Sequence, residues 1–194
     1  MSETERRTEI IEAVERLLAR GGVNAVTMRA VATEADVSLR LVQYYGNTKG
    51  ELLSATLNRL SDKSIERWRA RSERQGPDRS ALEVVRAFFD EALPTDQTSR
   101  EFHRVGVSLE GLAITHPDLA GLAYQNHLRG LADHLAGILR SDHLSARTAR
   151  QLALEVMGMA HGVGTLLMAD QLTETDARTL IHDYLDRLGP RLSQ

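Results

Sequence analysis

Apolar residues recur at helical spacing along almost the whole chain, and no stretch of useful length alternates as a β-strand does. The first clear example has apolar residues at i, i+4, i+7 and i+8, namely Ile10, Val14, Leu17 and Leu18. This spacing puts them on one face of an amphipathic helix. Gly21-Gly22 follows directly and predicts the end of that helix.

Glycine and proline residues divide the rest of the pattern into further helices. The breaks after the first helix are Gly76-Pro77, Pro94, Pro117 and Gly189-Pro190. The pattern predicts about nine helices, three short ones followed by six longer ones, and therefore an all-α fold. We expect an N-terminal three-helix domain over residues 1–50 and a larger helical domain over residues 51–194. A helix that begins at about residue 48 should link the two.

Residues 27–45 predict two short helices joined by a tight turn. Thr27 is suited to cap the first helix, which extends to residue 35, and Ser38 to cap the second, which extends to about residue 45. Asp36 lies at the turn, where a left-handed backbone is often required and aspartate tolerates it better than most residues. This arrangement is a helix-turn-helix candidate.

The second of these short helices has a face that suits DNA. Three of its residues can pack against the preceding helices, namely Val37, Leu41 and Val42. Four project away from them, namely Leu39, Arg40, Gln43 and Tyr44. Arginine and glutamine pair with guanine and adenine edges, leucine can meet a thymine methyl group, and tyrosine hydroxyls bond phosphate oxygens. The alternative is an ordinary solvated face, and a Tyr-Tyr pair more often belongs to a core.

The start of the fourth helix is a second place where phosphate can bind. Thr48-Lys49-Gly50-Glu51 fits the capping box, in which the Thr and Glu side chains satisfy free backbone amides. Lys49 and the remaining free amides present a positive pole, and helix N-termini bind phosphate for this reason. The helix that begins after Thr27 could do the same.

The distribution of charge permits nucleic acid as a partner without indicating it. The 194-residue chain has a formal net charge of −3. Residues 1–74 contain 13 basic and 11 acidic residues, whereas the rest of the chain contains 11 and 16. Affinity for nucleic acid depends on the local charge that faces the phosphates and not on the total.

Other classes of site are excluded by what the sequence lacks. The chain has no cysteine, which excludes disulfides, thiolate metal sites and cysteine nucleophiles. His127 and His134 supply two zinc ligands at most, where three or four are usual, so we expect no metal and no other cofactor. The charged N-terminus leads into no signal segment, and Glu155 and His161 interrupt the apolar run 152–169. We expect a cytoplasmic protein without a membrane span.

The segment from Thr27 to Leu53 resembles the TetR family of bacterial repressors. It reads TMRAVATEADVSLRLVQYYGNTKGELL. The family pattern is roughly T-x-R-x-I-A-x-x-A-G-V-S, then L-x-x-Y-F, then a small or polar residue, S/T-K and E-x-L-L. Both the order and the spacing agree, and the match covers about the first 60 residues.

The resemblance implies a role in DNA binding for each matched position. Arg29 and Arg40 are implied to contact bases or phosphates, while Gln43 and Tyr44 face the groove. Contacts with the DNA backbone are implied for Thr27, Ser38, Tyr45 and Lys49. In a dimer, two recognition helices would enter successive major grooves about 34–36 Å apart.

Two residues depart from the family pattern. Asp36 replaces the turn glycine, which the turn can accept. Gly46 replaces the aromatic residue that normally anchors the recognition helix onto the first helix, so its absence should leave a gap. Tyr45 either turns inward to fill the gap and joins the core, or remains a phosphate contact. Both roles stay open at this point.

Residues 157–167 resemble the corresponding segment of the betaine-regulator-like branch, with His161 at the position of an aspartate. The resemblance implies a helical domain that dimerises and encloses a ligand. Glycine weakens a helix by about 1 kcal/mol relative to alanine, so the glycines here should admit a partner helix. The interface candidates are Gly158, Gly162, Leu166, Leu180, Ile181, Tyr184 and Leu185. The alternative is that the glycines pack inside the monomer.

Apolar and mixed residues of the middle helices are the candidates for a ligand pocket, in which a buried Glu or His could orient a polar group. They are Trp68, Phe88, Phe89, Phe102, His103, Leu109, Glu110, Tyr124, Met157 and His161.

The sequence therefore predicts a homodimeric repressor that a small-molecule effector releases from a palindromic operator. One alternative is a DNA-binding dimer that has no effector. The other is a helical enzyme that modifies small molecules, but the chain contains no Walker loop, no G-x-S-x-G and no dinucleotide fingerprint. We expect no enzymatic activity.

Overall fold

The computed structural model describes residues 3–74, 80–140 and 144–192. Over these residues the chain forms nine α-helices and no strand, which confirms the all-α prediction. The helices are α1 (Glu3–Ala25), α2 (Met28–Glu34), α3 (Leu39–Tyr45), α4 (Lys49–Glu73), α5 (Ala81–Ala92), α6 (Gln97–Thr115), α7 (Pro117–Leu139), α8 (Ala146–Met168) and α9 (Glu174–Leu192). None of them is long and apolar enough to cross a membrane.

The helices form two compact units that do not follow chain order. Unit 1 comprises the chain up to Asp62 together with Glu101–His127, and unit 2 comprises Lys63–Arg100 and the chain from Leu128 onward. Helix α6 and the start of α7 therefore pack with the three N-terminal helices, and α4 contributes to both units. The functional boundary near residue 50 stays a prediction.

Unit 1 is built around the apolar stripe that the sequence predicts for the first helix. Ile10 and Val14 are fully buried, and they pack in one cluster with Val31 of α2, Val42 of α3 and Leu109 of α6. This cluster fixes the two short helices against α1.

Helix α1 is longer than the sequence predicts. Gly22 adopts φ 62° and ψ −163°, a conformation open only to glycine, so the helix is interrupted there as the glycine pair predicts. Helical geometry then resumes and continues to Ala25. A Cβ atom at Gly22 would lie 3.6 Å from Ser108 Oγ of α6. The first helix is therefore long, and the prediction of three short helices is wrong in this respect.

Unit 2 has its own core, formed by α5, α8, α9 and the adjoining parts of α4 and α7. Trp68, Phe89, Leu135, Leu152 and Leu185 are all nearly inaccessible and belong to one cluster. The Trp68 indole Nε1 donates a hydrogen bond to the Val84 carbonyl over 2.9 Å, so its polar atom is satisfied inside the core.

The prediction that Gly189-Pro190 ends the last helix is wrong, because α9 continues to Leu192 with Pro190 inside it. Two contacts hold this last turn. Arg191 forms two hydrogen bonds with the Glu155 carboxylate of α8, at 2.7 and 2.8 Å, and Leu192 packs against the core of unit 2. These tertiary contacts outweigh the local preference of proline. The predicted break at Gly76-Pro77 lies outside the described residues.

Candidate nucleic-acid interface

Both short helices are capped by the residues that the sequence predicts. Thr27 Oγ1 accepts a hydrogen bond from the Ala30 amide at 3.1 Å, and Ser38 Oγ accepts one from the Leu41 amide at 3.2 Å. Asp36 adopts φ 51°, the left-handed conformation expected at the turn between them. Local chemistry therefore sets the start of each helix and the direction of the chain between them.

The outward face of α3 carries the polar residues that the resemblance singles out. Arg40, Gln43 and Tyr44 are exposed, and 69% of the Tyr44 surface remains accessible. Leu39 is half-buried and packs at the edge of the core of unit 1. Thr27, Arg29 and Ser38 are also exposed. Eight of the nine DNA-contact candidates thus lie on α2, on α3 or at their N-caps, and of these eight only Leu39 and Tyr45 are half-buried.

The arginines of unit 1 fall into two groups. Arg16 and Arg20 of α1 both bind the Glu34 carboxylate of α2, Arg16 at 2.7 Å, and their hydrogen bonds hold the pKa of Glu34 below its usual value. By contrast, neither Arg29 nor Arg40 has an ion-pair partner among the described residues. The first group braces α1 against α2, and the second leaves its charge available for an external anion.

Tyr44 also touches the first turn of α1. Its hydroxyl donates a hydrogen bond of 3.4 Å to Glu3 Oε1, and its ring meets the Tyr45 ring edge-to-face at 5.0 Å. Burial, and then the nearby Glu3 carboxylate, raise the pKa of Tyr45. The two tyrosines therefore differ: Tyr44 faces outward, whereas Tyr45 is half-buried against the core of unit 1.

The space beside Gly46 is filled by a residue that sequence reasoning missed. A Cβ atom at Gly46 would lie 2.7 Å from Leu52 Cγ, so the Leu52 side chain of α4 occupies the position next to the glycine. Leu52 is buried and belongs to the core of unit 1. The end of α3 is thus anchored by α4, and Tyr45 need not fill the gap alone.

Lys49 lies at the start of α4, where the Thr48 half of the predicted capping box forms and the Glu51 side chain reaches one residue further back, to Asn47. The Glu51 amide donates to Thr48 Oγ1 at 3.2 Å, and the Glu51 carboxylate accepts from the Asn47 amide at 3.0 Å. Lys49 Nζ donates to the Val23 carbonyl at 2.6 Å, and partial burial lowers the pKa of Lys49. The ammonium group thus holds the end of α1, with two N–H groups left for another acceptor.

The ten pocket candidates divide between the two units. Phe102, His103, Leu109, Glu110 and Tyr124 belong to unit 1, and Trp68, Phe88, Phe89, Met157 and His161 belong to unit 2. Two of them, Phe89 and Leu109, are almost fully buried core residues, and His161 is exposed.

Unit 1 contains a partly buried polar group between α4, α6 and α7. Burial, and then the Glu110 carboxylate, raise the pKa of Tyr124 to about 12. Its neighbour His127 has Nδ1 at 2.5 Å from Ser61 Oγ, and burial lowers the pKa of His127. In the sequence, His127 is a candidate only as a metal ligand and Ser61 is no candidate at all, because no local pattern brings α4 and α7 together.

Unit 2 contains a cavity of about 500 Å³ between α4, α5 and α7. Of the predicted pocket residues only Trp68 lines it. The other described residues that line it are Arg69, Ser72, Glu73, Ala81, Val84, His134 and Ile138. The imidazole of His134 meets the Trp68 ring edge-to-face at 5.1 Å.

The interface candidates of α8 and α9 also divide into two groups. Gly158 and Gly162 face open space, with no atom within 4 Å of a Cβ built on either, so the alternative of packing inside the monomer does not hold for them. Leu166 and Leu180 are each 43% exposed. Leu154, which sequence reasoning missed, is 52% exposed and lies four residues before Gly158.

Three other interface candidates, Ile181, Tyr184 and Leu185, are buried in the core of unit 2. Helical spacing identified them as apolar but did not distinguish the inward side of α9 from the outward one. Within residues 3–74, 80–140 and 144–192, no three acidic or histidine side chains are grouped to hold a metal ion.

Comparison with known proteins agrees with this geometry. The model for bacterial regulatory proteins of the TetR family matches residues 10–56, which contain the helix-turn-helix. The model for the C-terminal domain of BetI-type transcriptional repressors matches residues 81–190, more than half of the chain. The chain belongs to the TetR family. It is therefore a DNA-binding transcriptional regulator with a BetI-type C-terminal domain, and not an enzyme.

Relatives of this TetR-family regulator match it over nearly its full length. The transcriptional regulator BetI of Burkholderia mallei is 27% identical over an alignment of 192 residues, which covers 96% of this chain and 95% of that one. A TetR-family regulator from Rhodococcus sp. has a crystal structure with a TM-score of 0.80 at 20% identity, covering 94% and 97% of the two chains. A regulator from Saccharomonospora viridis, crystallised with choline, has a TM-score of 0.68 at 21% identity and 95% coverage of both.

Proposed function

We propose that this TetR-family protein is a homodimeric repressor in the cytoplasm. It binds a palindromic operator through α3 and leaves the operator when a small-molecule effector binds to the helical C-terminal domain. Base reading is assigned to Arg40 and Gln43, and contact with the DNA backbone to Thr27, Ser38 and Lys49.

The observation that carries this proposal is the exposed face of α3. Arg40, Gln43 and Tyr44 project from a helix whose start is fixed by the Ser38 cap and whose inner side is held by the buried Val42. A short helix presented in this way can enter the major groove, where arginine and glutamine read base edges. The Arg29 and Arg40 charges, which have no carboxylate partner among the described residues, add attraction to phosphate.

The dimer is supported by the outward side of α8. Leu154, Gly158, Gly162 and Leu166 follow one another at intervals of four residues, so they form a stripe of apolar and small residues along the helix. The two glycines would let a partner helix approach closely, and the leucines would gain from burial. A two-fold axis would place this stripe against its own copy in an isologous interface. The exposed Leu180 of α9 would belong to the same dimer interface.

The effector is supported by the cavity and by a relative. The 500 Å³ cavity of unit 2 lies within the range of small-molecule sites, roughly 300–1,000 Å³. The Saccharomonospora viridis regulator was crystallised with choline, a small organic molecule. Release requires the effector to bind the DNA-free conformation more tightly than the operator-bound one, and operator DNA must then weaken effector binding by the same factor.

Operator binding by the Arg40→Ala variant tests the proposal. The site is first mapped by footprinting on the promoter DNA beside the gene, and affinity is then measured on that site and on a scrambled duplex. We expect Arg40→Ala to weaken operator binding by roughly 10- to 100-fold with little change on the scrambled duplex, since a bidentate base contact discriminates by about 1–3 kcal/mol.

Arg129→Ala, which removes an exposed arginine from α7 in unit 2, is the matched control and should bind the operator as the wild type does. Equal loss on both duplexes for Arg40→Ala would overturn its assignment to base reading. A footprint without two-fold symmetry, or none at all, would overturn the proposed dimeric repressor.

A further inference from the structure

The cavity of unit 2 has an apolar wall and a polar stripe from a single helix. Trp68, Val84 and Ile138 supply apolar surface from three different helices. Arg69, Ser72 and Glu73 line the cavity from α4. These three polar residues stand at i, i+3 and i+4, which puts them on one side of α4.

Hydrogen bonds inside the wall decide what the buried polar atoms can still accept or donate. The Trp68 indole N–H is used by the Val84 carbonyl. Ser72, which is 4% exposed, donates its single hydroxyl proton to the Trp68 carbonyl over 3.0 Å. The Ser72 oxygen is therefore left as an acceptor, so a ligand that reaches it must bring a donor.

Two charged residues of opposite sign are among the described residues that line the cavity. Arg69 and Glu73 are one helical turn apart, and neither takes part in an ion pair among the described residues. Both are exposed, so each keeps its charge at the cavity and can bind a ligand group of the opposite sign. A guanidinium matches a carboxylate bidentately, while a carboxylate matches an ammonium group.

His134 contributes surface and adds no charge at neutral pH. Burial, and then the nearby Arg69 guanidinium, lower the pKa of His134. The lowered pKa favours the neutral imidazole, and its edge-to-face contact with Trp68 extends the apolar wall. Among the described residues that line the cavity, the charge pattern is thus one cation and one anion, both supplied by α4.

We infer that this cavity binds a zwitterion with an apolar body, such as an α-amino acid with an apolar side chain. Its ammonium group donates to the Glu73 carboxylate and the Ser72 oxygen, its carboxylate binds Arg69, and its side chain packs on Trp68, Val84 and Ile138. This inference rests on the proposed function only in giving the ligand the role of the effector.

Three probes that share one body separate the two charges. L-phenylalanine carries both groups, phenethylamine lacks the carboxylate and 3-phenylpropanoate lacks the ammonium group. Trp68 is the only tryptophan of the chain, so its fluorescence reports directly on the cavity. We expect L-phenylalanine to bind at least tenfold more tightly than either analogue, because a site that is built to bond a polar group rejects compounds that lack it.

Two variants assign the charges. Arg69→Gln should weaken the binding of L-phenylalanine at least tenfold and leave the binding of phenethylamine unchanged. Glu73→Gln should also weaken the binding of L-phenylalanine at least tenfold, but leave the binding of 3-phenylpropanoate unchanged. Arg86→Gln, on the exposed side of α5, is the control and should bind all three probes as the wild type does. Calorimetry repeats the titrations without relying on fluorescence.

The outcomes separate this inference from the proposed function. Equal binding of the three probes, or no fluorescence or heat change with L-phenylalanine, would overturn the zwitterion site while operator binding stands. Tighter binding of choline than of L-phenylalanine would also overturn it, because a quaternary ammonium group has no N–H to donate to Ser72. Selective L-phenylalanine binding that leaves the operator complex intact would support the site and contradict its role as effector. Failure of the wild type to bind DNA would contradict only the proposed function.

Discussion

The outward faces of α3 and α8 are both left uncovered by their own units, yet their chemistry is opposite. Helix α3 exposes Arg40, Gln43 and Tyr44, whereas α8 exposes Leu154 and Leu166 with two glycines between them. The polar side chains of the first face cost little free energy while water hydrates them, before DNA supplies hydrogen-bond partners. Apolar side chains in the second gain about 25 cal/mol per Å² when another surface covers them.

This difference shows that the kind of partner can be inferred from the side chains that stay exposed once the core of each unit is packed. Both faces belong to amphipathic helices, and the helical period alone treats them alike. Only the burial of Val42 on one helix, and of Val156 and Val163 on the other, shows which residues of each helix remain exposed. Four predictions follow from the largest expected effect to the smallest: the first and third test the assignment of these two faces, and the other two test the packing of unit 1.

Leu166→Glu should produce the largest change, because it places a charge in the apolar stripe of α8. We expect a monomer by analytical ultracentrifugation and a loss of operator affinity of roughly 100-fold or more, since the two half-sites are no longer bound by linked subunits. Thr175→Glu, an exposed position on another side of α9 from Leu180, is the control and should stay dimeric. A Leu166→Glu variant that remained a dimer would remove α8 from the interface.

Gly46→Ala should destabilise unit 1 by about 1–3 kcal/mol, the usual cost of overpacking a core. The added methyl group would overlap the buried Leu52 side chain, whose Cγ lies 2.7 Å from the new Cβ. Chemical denaturation measures the change in unfolding free energy. Gly111→Ala is the control, because nothing lies within 4 Å of its Cβ position on α6, and there alanine should stabilise the helix by roughly 0.5–1 kcal/mol. Equal effects at the two positions would contradict the packing of Leu52.

Lys49→Met should reduce the salt dependence of operator binding. Each phosphate contact contributes about 0.9 to the slope of log affinity against log salt concentration, so a dimer that loses two contacts should lose about 1.8. Lys63→Met removes the only other lysine of the chain and should leave the slope unchanged. If Lys49→Met keeps the wild-type slope, the lysine serves only to hold the Val23 carbonyl.

The smallest effect should be the pH dependence that His127 confers on stability. Burial lowers the pKa of His127 in the folded protein, so the unfolded chain takes up the proton first, near its ordinary pKa of about 6.5. Stability should therefore fall as the pH drops through this value, and His127→Gln should flatten that part of the profile. Thermal unfolding at a series of pH values measures it. A variant with the same pH profile as the wild type would contradict the assignment.

Local chemistry made much of the fold and of the α3 face predictable. The caps at Thr27 and Ser38 and the left-handed turn at Asp36 follow from neighbouring residues, and all three form as expected. The contacts of Gly46 with Leu52 and of Lys49 with Val23 were not predictable, because they depend on how α4 packs against α3 and α1.

The cavity and the inward side of α9 were beyond sequence reasoning for a related reason. Ser72 and His134 line the same cavity only because α4 and α7 pack together, and nothing near either residue in the chain indicates this. Ile181 and Tyr184 have the apolar character of interface residues, but both are buried in the core of unit 2.

The Glu34 carboxylate, which binds both Arg16 and Arg20, has a consequence for titrations with potassium chloride. Both guanidinium groups are about half exposed, so added electrolyte weakens the brace between α1 and α2 as well as the attraction to phosphate. A log–log plot of operator affinity should then bend downward at high ionic strength instead of staying straight. Only the slope of its initial, linear part would then report the number of ions released from DNA.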